Sequence, residues 1–452
     1  MGRSGIVALW LAPVCVAVAA ASFAGTFAVY PSETGQFRVR GENDVEFRSP
    51  DPRLGDGADG VALVSVWGFD LSFLPPESEI TSAALHLVVG TVYGDPDALG
   101  PLKAGRVEGI AGAPSVDPAA DWVTNDVEGE SVMTGGPIVK DTELTGDLTL
   151  QVVGRYPSPP QDPDPGRLVV RTWLDRMANE NGAGDYFYIA SIWLELEATV
   201  PDPIEARPVR RHFKRCIPVA ASLDGANGTR WETELEVTAA DHPATVWLYF
   251  TEAGDDGAER FEVRRIDLEK RQSMVWDDVL PELFGRSETK GWIELFTTAP
   301  GVFAAARVAN VGGDGVYGQA FSMVLDPWLL RRDRVRTWDS EERTLQLASV
   351  AGGNRTNVGV INLGPEEVTV TLSGWSSSGS GLLGEATVTL PPFGYTQIDR
   401  IETLIPELEG RDRVVLTGTI ESGEGDPLDG GVVLYASRVD GVTGDAVFIA
   451  GH

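Results

Sequence analysis

A chain of 452 residues is longer than one ordinary domain and fits roughly three. Its formal net charge of −31 argues against nucleic acid, because phosphate binding needs a basic surface that releases counterions, and against docking on an anionic membrane face. With 52 Gly and 29 Pro, above average usage, the chain calls for many turns and few long helices.

The N-terminus reads MGRSGIVALWLAPVCVAVAAASFAG. The α-amine and Arg3 precede an uncharged apolar run from Ile6 to Phe23, and the small residues Ser22 and Ala24 stand at the −3 and −1 positions of an expected cut before Gly25. Residues 1–24 are therefore expected to be an export signal, which places the mature chain outside the cell or at its surface. The rival is an uncleaved membrane anchor, since the run approaches the ~20 residues that span a bilayer. Lipid attachment at Cys15 is disfavoured by Val14, where a small residue is wanted. Loss of Cys15 leaves Cys216 alone, so no intrachain disulfide forms and each domain is held by its apolar core.

Residues 30–200 form the first predicted domain. In AALHLVV, Ala84, His86 and Val88 face one way and Leu85, Leu87 and Val89 the other, the alternation of a half-buried strand. His86 reads as an edge histidine, and none of the four histidines has metal-ligand spacing. The longer stretch VSVWGFDLSFLPPESEITSAALHLVV (Val64 to Val89) resembles the DNRLRE-type β-sandwich module of secreted, polysaccharide-associated proteins. The likeness lies in Phe69, Asp70, Leu71, Ser72, Leu74 and Pro75, then in Ile80, Ser82, Ala83, Leu85 and Leu87. Val169 to Ala190 resembles its late turn and strand, while Asp121-Trp122 only faintly echoes its Trp-centred motif. The resemblance implies a sandwich linked to carbohydrate and carries over no catalytic residue. A proline-rich loop, Tyr156 to Gly166, holds Asp162 and Asp164. A weakly bound calcium there is the one cofactor the chain admits, although no bidentate Glu follows at loop spacing.

A basic linker, 201–216, contains RPVRRHFKR (Arg207 to Arg215). A second, 327–344, contains RRDRVR (Arg331 to Arg336). In so acidic a chain they are expected to pair with acidic domain surfaces and fix their angle; a site for an anionic polysaccharide or a protease is the alternative. Cys216 reads as a buried or idle cysteine.

The segments between and after these linkers repeat. ATVWLYF (Ala244 to Phe250) matches VTVTLSG (Val368 to Gly374), RRIDL (Arg264 to Leu268) matches ATVTL (Ala386 to Leu390), and VWDDVLPEL (Val275 to Leu283) matches QIDRIETLIPEL (Gln397 to Leu408). ARVANVGGDGVYGQAF (Ala306 to Phe321) likewise matches SRVDGVTGDAVFIAG (Ser437 to Gly451). The order never changes, which predicts two tandem copies of one fold, 217–326 and 345–452. Short alternating segments set off by Gly, Pro, Asn and Asp make each copy an antiparallel β-sandwich resembling fibronectin or immunoglobulin domains. Asn227 and Asn354 stand in Asn-x-Thr sequons just before a strand, where a turn-closing role competes with glycosylation. Asp277, beside Asp278, and Asp399 are expected to cap a single helical turn.

In VWLYF, Val246, Leu248 and Phe250 share one face and Trp247 and Tyr249 the other. The second copy has Thr371 and Ser373 on that other face, which marks it as wet. Trp247 and Tyr249 are therefore the candidate ligand-binding residues, two rings able to stack on a sugar or meet a protein; cover by a neighbouring domain is the competing reading. Gly379 to Gly384 spells G-x-G-x-x-G but runs into a strand, so no helix N-terminus meets a phosphate. GWSSSG (Gly374 to Gly379) lacks the spacing of a nucleophile elbow. No catalytic residues are assigned. The expected protein is all-β, three sandwiches after a signal segment, an exported, non-enzymatic binder of a glycan or surface protein. Membrane attachment is admitted only through the N-terminal anchor. Alternatives are an accessory part of a polysaccharide-degrading system and a purely structural envelope spacer.

Overall fold

The computed structural model describes residues 21–41, 44–49, 53–57, 61–107, 127–153, 167–175, 184–202, 204–208, 215–225, 228–312, 315–325, 342–347, 355–376, 381–411, 414–422, 431–440 and 446–450. The apolar segment 1–20, Asp121-Trp122, the proline-rich loop with its calcium candidates, Asn227, Asn354 and the basic run 331–336 lie outside the described residues. The described residues are mostly antiparallel β-strands with a few short helices, arranged as three sandwiches.

The N-terminal sandwich is one connected system of eleven strands between Ala21–Val29 and Asp185–Asp202, eight of them on a continuous path and three paired beside it. Its two layers meet at the short strand Arg53–Asp56, which pairs with Ala62–Asp70 on one side and Asp185–Asp202 on the other. Gly55 makes that corner: its φ is +133°, and a Cβ there would stand 2.2 Å from the Asp185 carbonyl oxygen. Residues 21–24, the tail of the expected export signal, pair with Asp202 to Thr199 in the same ladder as the rest of their strand. The F-D-L-S-x-L-P motif ends a strand. Asp70 Oδ1 accepts the Ser72 N–H at 3.0 Å and the Ser72 hydroxyl, which closes a turn. Phe69, Leu71, Phe73 and Leu74 then fill the core, and the chain returns as Glu79–Tyr93.

The two C-terminal sandwiches share one topology. In the central one, a sheet runs in the order Glu262–Leu268, Ala244–Glu252, Thr289–Thr297, Arg215–Asp224. The other runs Ser273–Trp276, Arg230–Ala239, Val302–Gly312, Gly315–Ser322. In the last one the orders are Leu382–Leu390, Val368–Ser376, Val414–Ser422, Glu342–Leu347, and Tyr395–Ile398, Arg355–Asn362, Val432–Val439, Ala446–Ala450. The eight strands of the second copy reproduce eight of the nine in the first, which adds Val324–Leu325 and joins its sheets where Arg215–Asp224 pairs with Arg230–Ala239, and the segments matched in sequence occupy equivalent places.

The sandwiches are joined by buried contacts. Strand Ala244–Glu252 is buried on both faces. Val246, Leu248 and Phe250 enter the central core, while Trp247 and Tyr249 join the N-terminal one. On the far side, Ile361, Phe393, Tyr395 and Tyr435 of the last sandwich complete the central core. Trp292 Nε1 donates to the Phe393 carbonyl at 3.1 Å, and the N–H groups of Gly254 and Gly257 donate to Tyr395 and Pro392.

Arg207, from the first basic linker, sits where these contacts converge. Its Nε and Nη2 donate to Glu294 Oε2 at 3.1 and 2.9 Å, and its Nη1 to Thr251 Oγ1 at 2.7 Å. The guanidinium carbon lies 4.7 Å from the ring centres of Trp292 and Phe393 and 5.5 Å from that of Tyr249. Burial pulls the pKa of Arg207 down, and Glu294 opposes this. The linker thus pairs with an acidic residue, but with a buried one. Its last arginine, Arg215, instead donates to the carbonyls of Ala299 and Pro300. Replacing Arg207 with Met, or Glu294 with Leu, strands the remaining charge and should cost about 3–5 kcal/mol. The double substitution should cost clearly less than the sum. Denaturant unfolding followed by tryptophan fluorescence, read on the transition of the central sandwich, measures both.

Candidate functional site

Trp247 and Tyr249 are not on a wet face. Trp247 is 2% exposed and Tyr249 0%. The indole lies between Phe27 and Phe73 of the N-terminal sandwich, at 5.7 and 5.3 Å, with the Arg265 guanidinium 5.7 Å from the ring. Tyr249 meets Phe296 at 5.3 Å and Phe261 at 5.5 Å. Its hydroxyl has no hydrogen-bond partner among the described residues, and burial raises its pKa far above the ordinary phenol value. The alternation of the strand is as the sequence implies; the exposure is not, so the assignment of these rings as an open ligand platform is corrected. The counterpart residues Thr371 and Ser373 are themselves only 8% and 7% exposed, so their polarity did not report solvent.

The edge of Trp247 reaches a groove of 590 Å³ between the first two sandwiches, with Ile204, Phe261, Arg264 and Arg265 among its walls. Both arginines have structural tasks. Arg264 donates to the carbonyls of Leu283 and Phe284, and Arg265 pairs with Asp267 and covers Phe27 and Trp247.

The other flagged residues separate in the same way. Asp277 is exposed and Asp278 buried, so they do not face one cleft. Asp278 accepts the Ser222 hydroxyl at 2.6 Å and the Thr233 N–H at 3.3 Å, and burial pushes its carboxyl above the usual range. It does not cap the turn with its side chain; instead, Glu282 Oε1 accepts the Asp278 N–H at 3.0 Å. Cys216 is fully buried, and His242 stacks on Tyr30 at 3.9 Å. Among the described residues no group of three or more His, Cys, Asp or Glu could hold a metal, and no helix is long and apolar enough to cross a membrane.

What the structure does assemble is an aromatic stripe on the outer face of the N-terminal sandwich. Strands Glu79–Tyr93 and Asp185–Asp202 pair so that Tyr93 stands opposite Tyr186, and His86 opposite Trp193. Tyr93 and Tyr186 stack at 4.9 Å, Tyr188 meets each of them edge-on at about 6 Å, and Arg53 lies 4.6 Å over Tyr188. Farther along, His86 and Trp193 stack at 4.8 Å and 6°. Glu143 Oε1 is 2.7 Å from His86 Nδ1, and Glu195 and Glu197 follow Trp193 on the same face. Tyr93 is 45% exposed, and Tyr186, Tyr188 and Trp193 are half-buried.

Strict alternation would send Trp193 inward with Phe187 and Ile189. The register shifts between Phe187 and Ser191, and two consecutive residues, Ala190 and Ser191, face outward. That bulge returns Trp193 to the face of Tyr186 and Tyr188. A period-two reading cannot see it, although the aromatic density of DYFYIASIW was available as a signal.

No protein family model matches the chain, and no curated protein matches it. Among solved structures, the Macrobrachium rosenbergii nodavirus aligns with 72% of this chain and 97% of its own at 10% identity and a TM-score of 0.23. A glycosyl hydrolase family 2 member from Bacteroides cellulosilyticus aligns with 66% of this chain and 35% of its own, at 10% identity and a TM-score of 0.18. Neither likeness bears on function.

Two substitutions check the burial of the predicted pair. Tyr249→Phe removes an unpartnered buried hydroxyl and should leave stability unchanged or raise it by about 1 kcal/mol. Trp247→Ala opens a cavity between two sandwiches and should cost about 3–5 kcal/mol, with faster proteolysis of the 203–214 linker. Thermal unfolding and timed protease digestion read the two effects.

Proposed function

We propose that this chain is an exported, non-enzymatic protein that holds glycans at or beyond the cell surface, through the aromatic stripe of its N-terminal sandwich. The reading is carried by one observation: Tyr93, Tyr186, Tyr188 and Trp193 stand on a single outward face, held in register by the paired strands. Large rings left partly exposed on a sheet offer flat apolar surfaces, the chemistry that meets the C–H faces of sugars. Rings stacked on one another lose little freedom when a ligand arrives, which favours affinity. The export-signal pattern of residues 1–24 and the DNRLRE-like motif around Phe69 to Pro75 point the same way.

The test is retention of the full chain on insoluble polysaccharides. Cellulose, chitin, xylan and peptidoglycan serve as the panel, with Tyr186→Ala/Tyr188→Ala/Trp193→Ala as the comparison. The triple variant should lose at least about tenfold in retention, some 1.4 kcal/mol. Each of these half-buried rings should contribute about 0.2–1 kcal/mol to folding through its cross-strand pair, so the variant should remain folded by circular dichroism. Equal retention of the two proteins on every polymer would remove the proposal.

A further inference from the structure

We infer that the ligand of this stripe is a neutral, unbranched polysaccharide bound along an internal segment, lying over the strand Asp185–Asp202 and touching two aromatic stations at once. The inference rests on the glycan-binding reading and deepens it. The first station is Tyr93, Tyr186 and Tyr188; the second is Trp193 stacked on His86. Tyr188 and Trp193 are separated by roughly 15 Å, from strand rise with one bulge between them. A single sugar ring cannot reach both stations, whereas a run of about three linked rings can.

The floor between the stations is low. The outward residues there are Ala190 and Ser191, with Val88 and Thr91 on the neighbouring strand, while Gly90 between them is buried. No bulky side chain of these residues rises to stop a polymer from passing from one station to the other. An open, flat path suits an internal segment rather than a chain end, which would call for an end wall.

Charge selects the polymer. Glu143, Glu195 and Glu197 stand beside Trp193, while Arg53, the cation at the other station, lies over Tyr188. A uronate or sulfate chain would meet these carboxylates at close range and the field of a chain of net charge −31 at long range. Neutral sugars instead find hydrogen-bond acceptors for their hydroxyls. Two linked contacts make the second one intramolecular, so affinity should climb with ligand length until both stations are spanned.

Calorimetric titration of the full chain with β-1,4-linked glucose oligomers, two to six residues long, tests this. The hexamer should bind at least about tenfold tighter than the dimer. Trp193→Ala should bring the hexamer down to the level of the dimer, and Ala190→Arg, which raises a barrier in the path, should weaken the hexamer most. Affinity that does not change with length, or a length dependence that survives Trp193→Ala, would overturn the inference. So would tighter binding of alginate oligomers, or no binding of any glucose oligomer. In each of these cases, retention on the insoluble panel that still depends on the rings would leave the glycan-binding proposal standing.

Discussion

The arrangement of the whole chain depends on one buried ion pair. Arg207 and Glu294 lie where the linker, the central sandwich and the last sandwich meet, and the Tyr249 ring over Arg207 also belongs to the core of the first. Taking two charges out of water is costly, and the pair recovers that cost only through good geometry. Here the guanidinium makes two bonds to one carboxylate oxygen, a third to Thr251 Oγ1, and lies close to three aromatic rings. Such a pair adds little net stability compared with apolar residues, but it tolerates few alternative arrangements. Its contribution is to specify how linker and sandwiches fit together.

The tandem copies show how one fold serves two ends. Both bury the same inward positions, Val246, Leu248 and Phe250 in the first and Val370 and Leu372 in the second. Their outward positions diverge: the first copy places Trp247 and Tyr249 there and covers them with Phe27, Phe73 and Phe261, while the second places Thr371 and Ser373. Because strand side chains alternate, the outward row can change completely without disturbing the inward one. Phe73 reaches Trp247 from the turn that Asp70 and Ser72 close, so the motif that ends a strand also presents a ring to the next sandwich.

Much of this was legible from residue order. Alternation identified the strands, the repeat identified two copies, and the faces of VWLYF were assigned correctly. What failed was exposure. Burial of Trp247 depends on Phe27 and Phe73, far away in sequence, and no local pattern encodes that contact. Arg207 was readable as a linker cation, yet nothing in RPVRRHFKR sets it apart from Arg210 or Arg211; the partner that buries it, Glu294, sits in WIELF on a strand of the next domain. The aromatic stripe was hidden for a different reason. Ala190 and Ser191 shift the phase of their strand, and a phase shift reverses every inside–outside assignment that follows it.

The bulge that hid the stripe also places Trp193 on it. Without the extra outward residue, Trp193 would lie inside the core, and the outer face would carry a tyrosine cluster and little else. With it, two ring stations stand on one strand with small residues between them. That strand is the longest described element, Asp185–Asp202, paired along one side with Glu79–Tyr93 and on the other with Arg53–Asp56 over Asp185 to Tyr188 and with Ala21–Val29 over Leu194 to Asp202. The ladder with Glu79–Tyr93 passes both stations and keeps their side chains at fixed spacing, and a spacing held before a ligand arrives need not be ordered on binding. The first sandwich is in turn tied to the second through Trp247 and to Thr298 by the Tyr30 N–H. On the proposed glycan-binding reading, a pull on the ligand would therefore load the junction as a whole, with the buried Arg207 pair just beyond Tyr249.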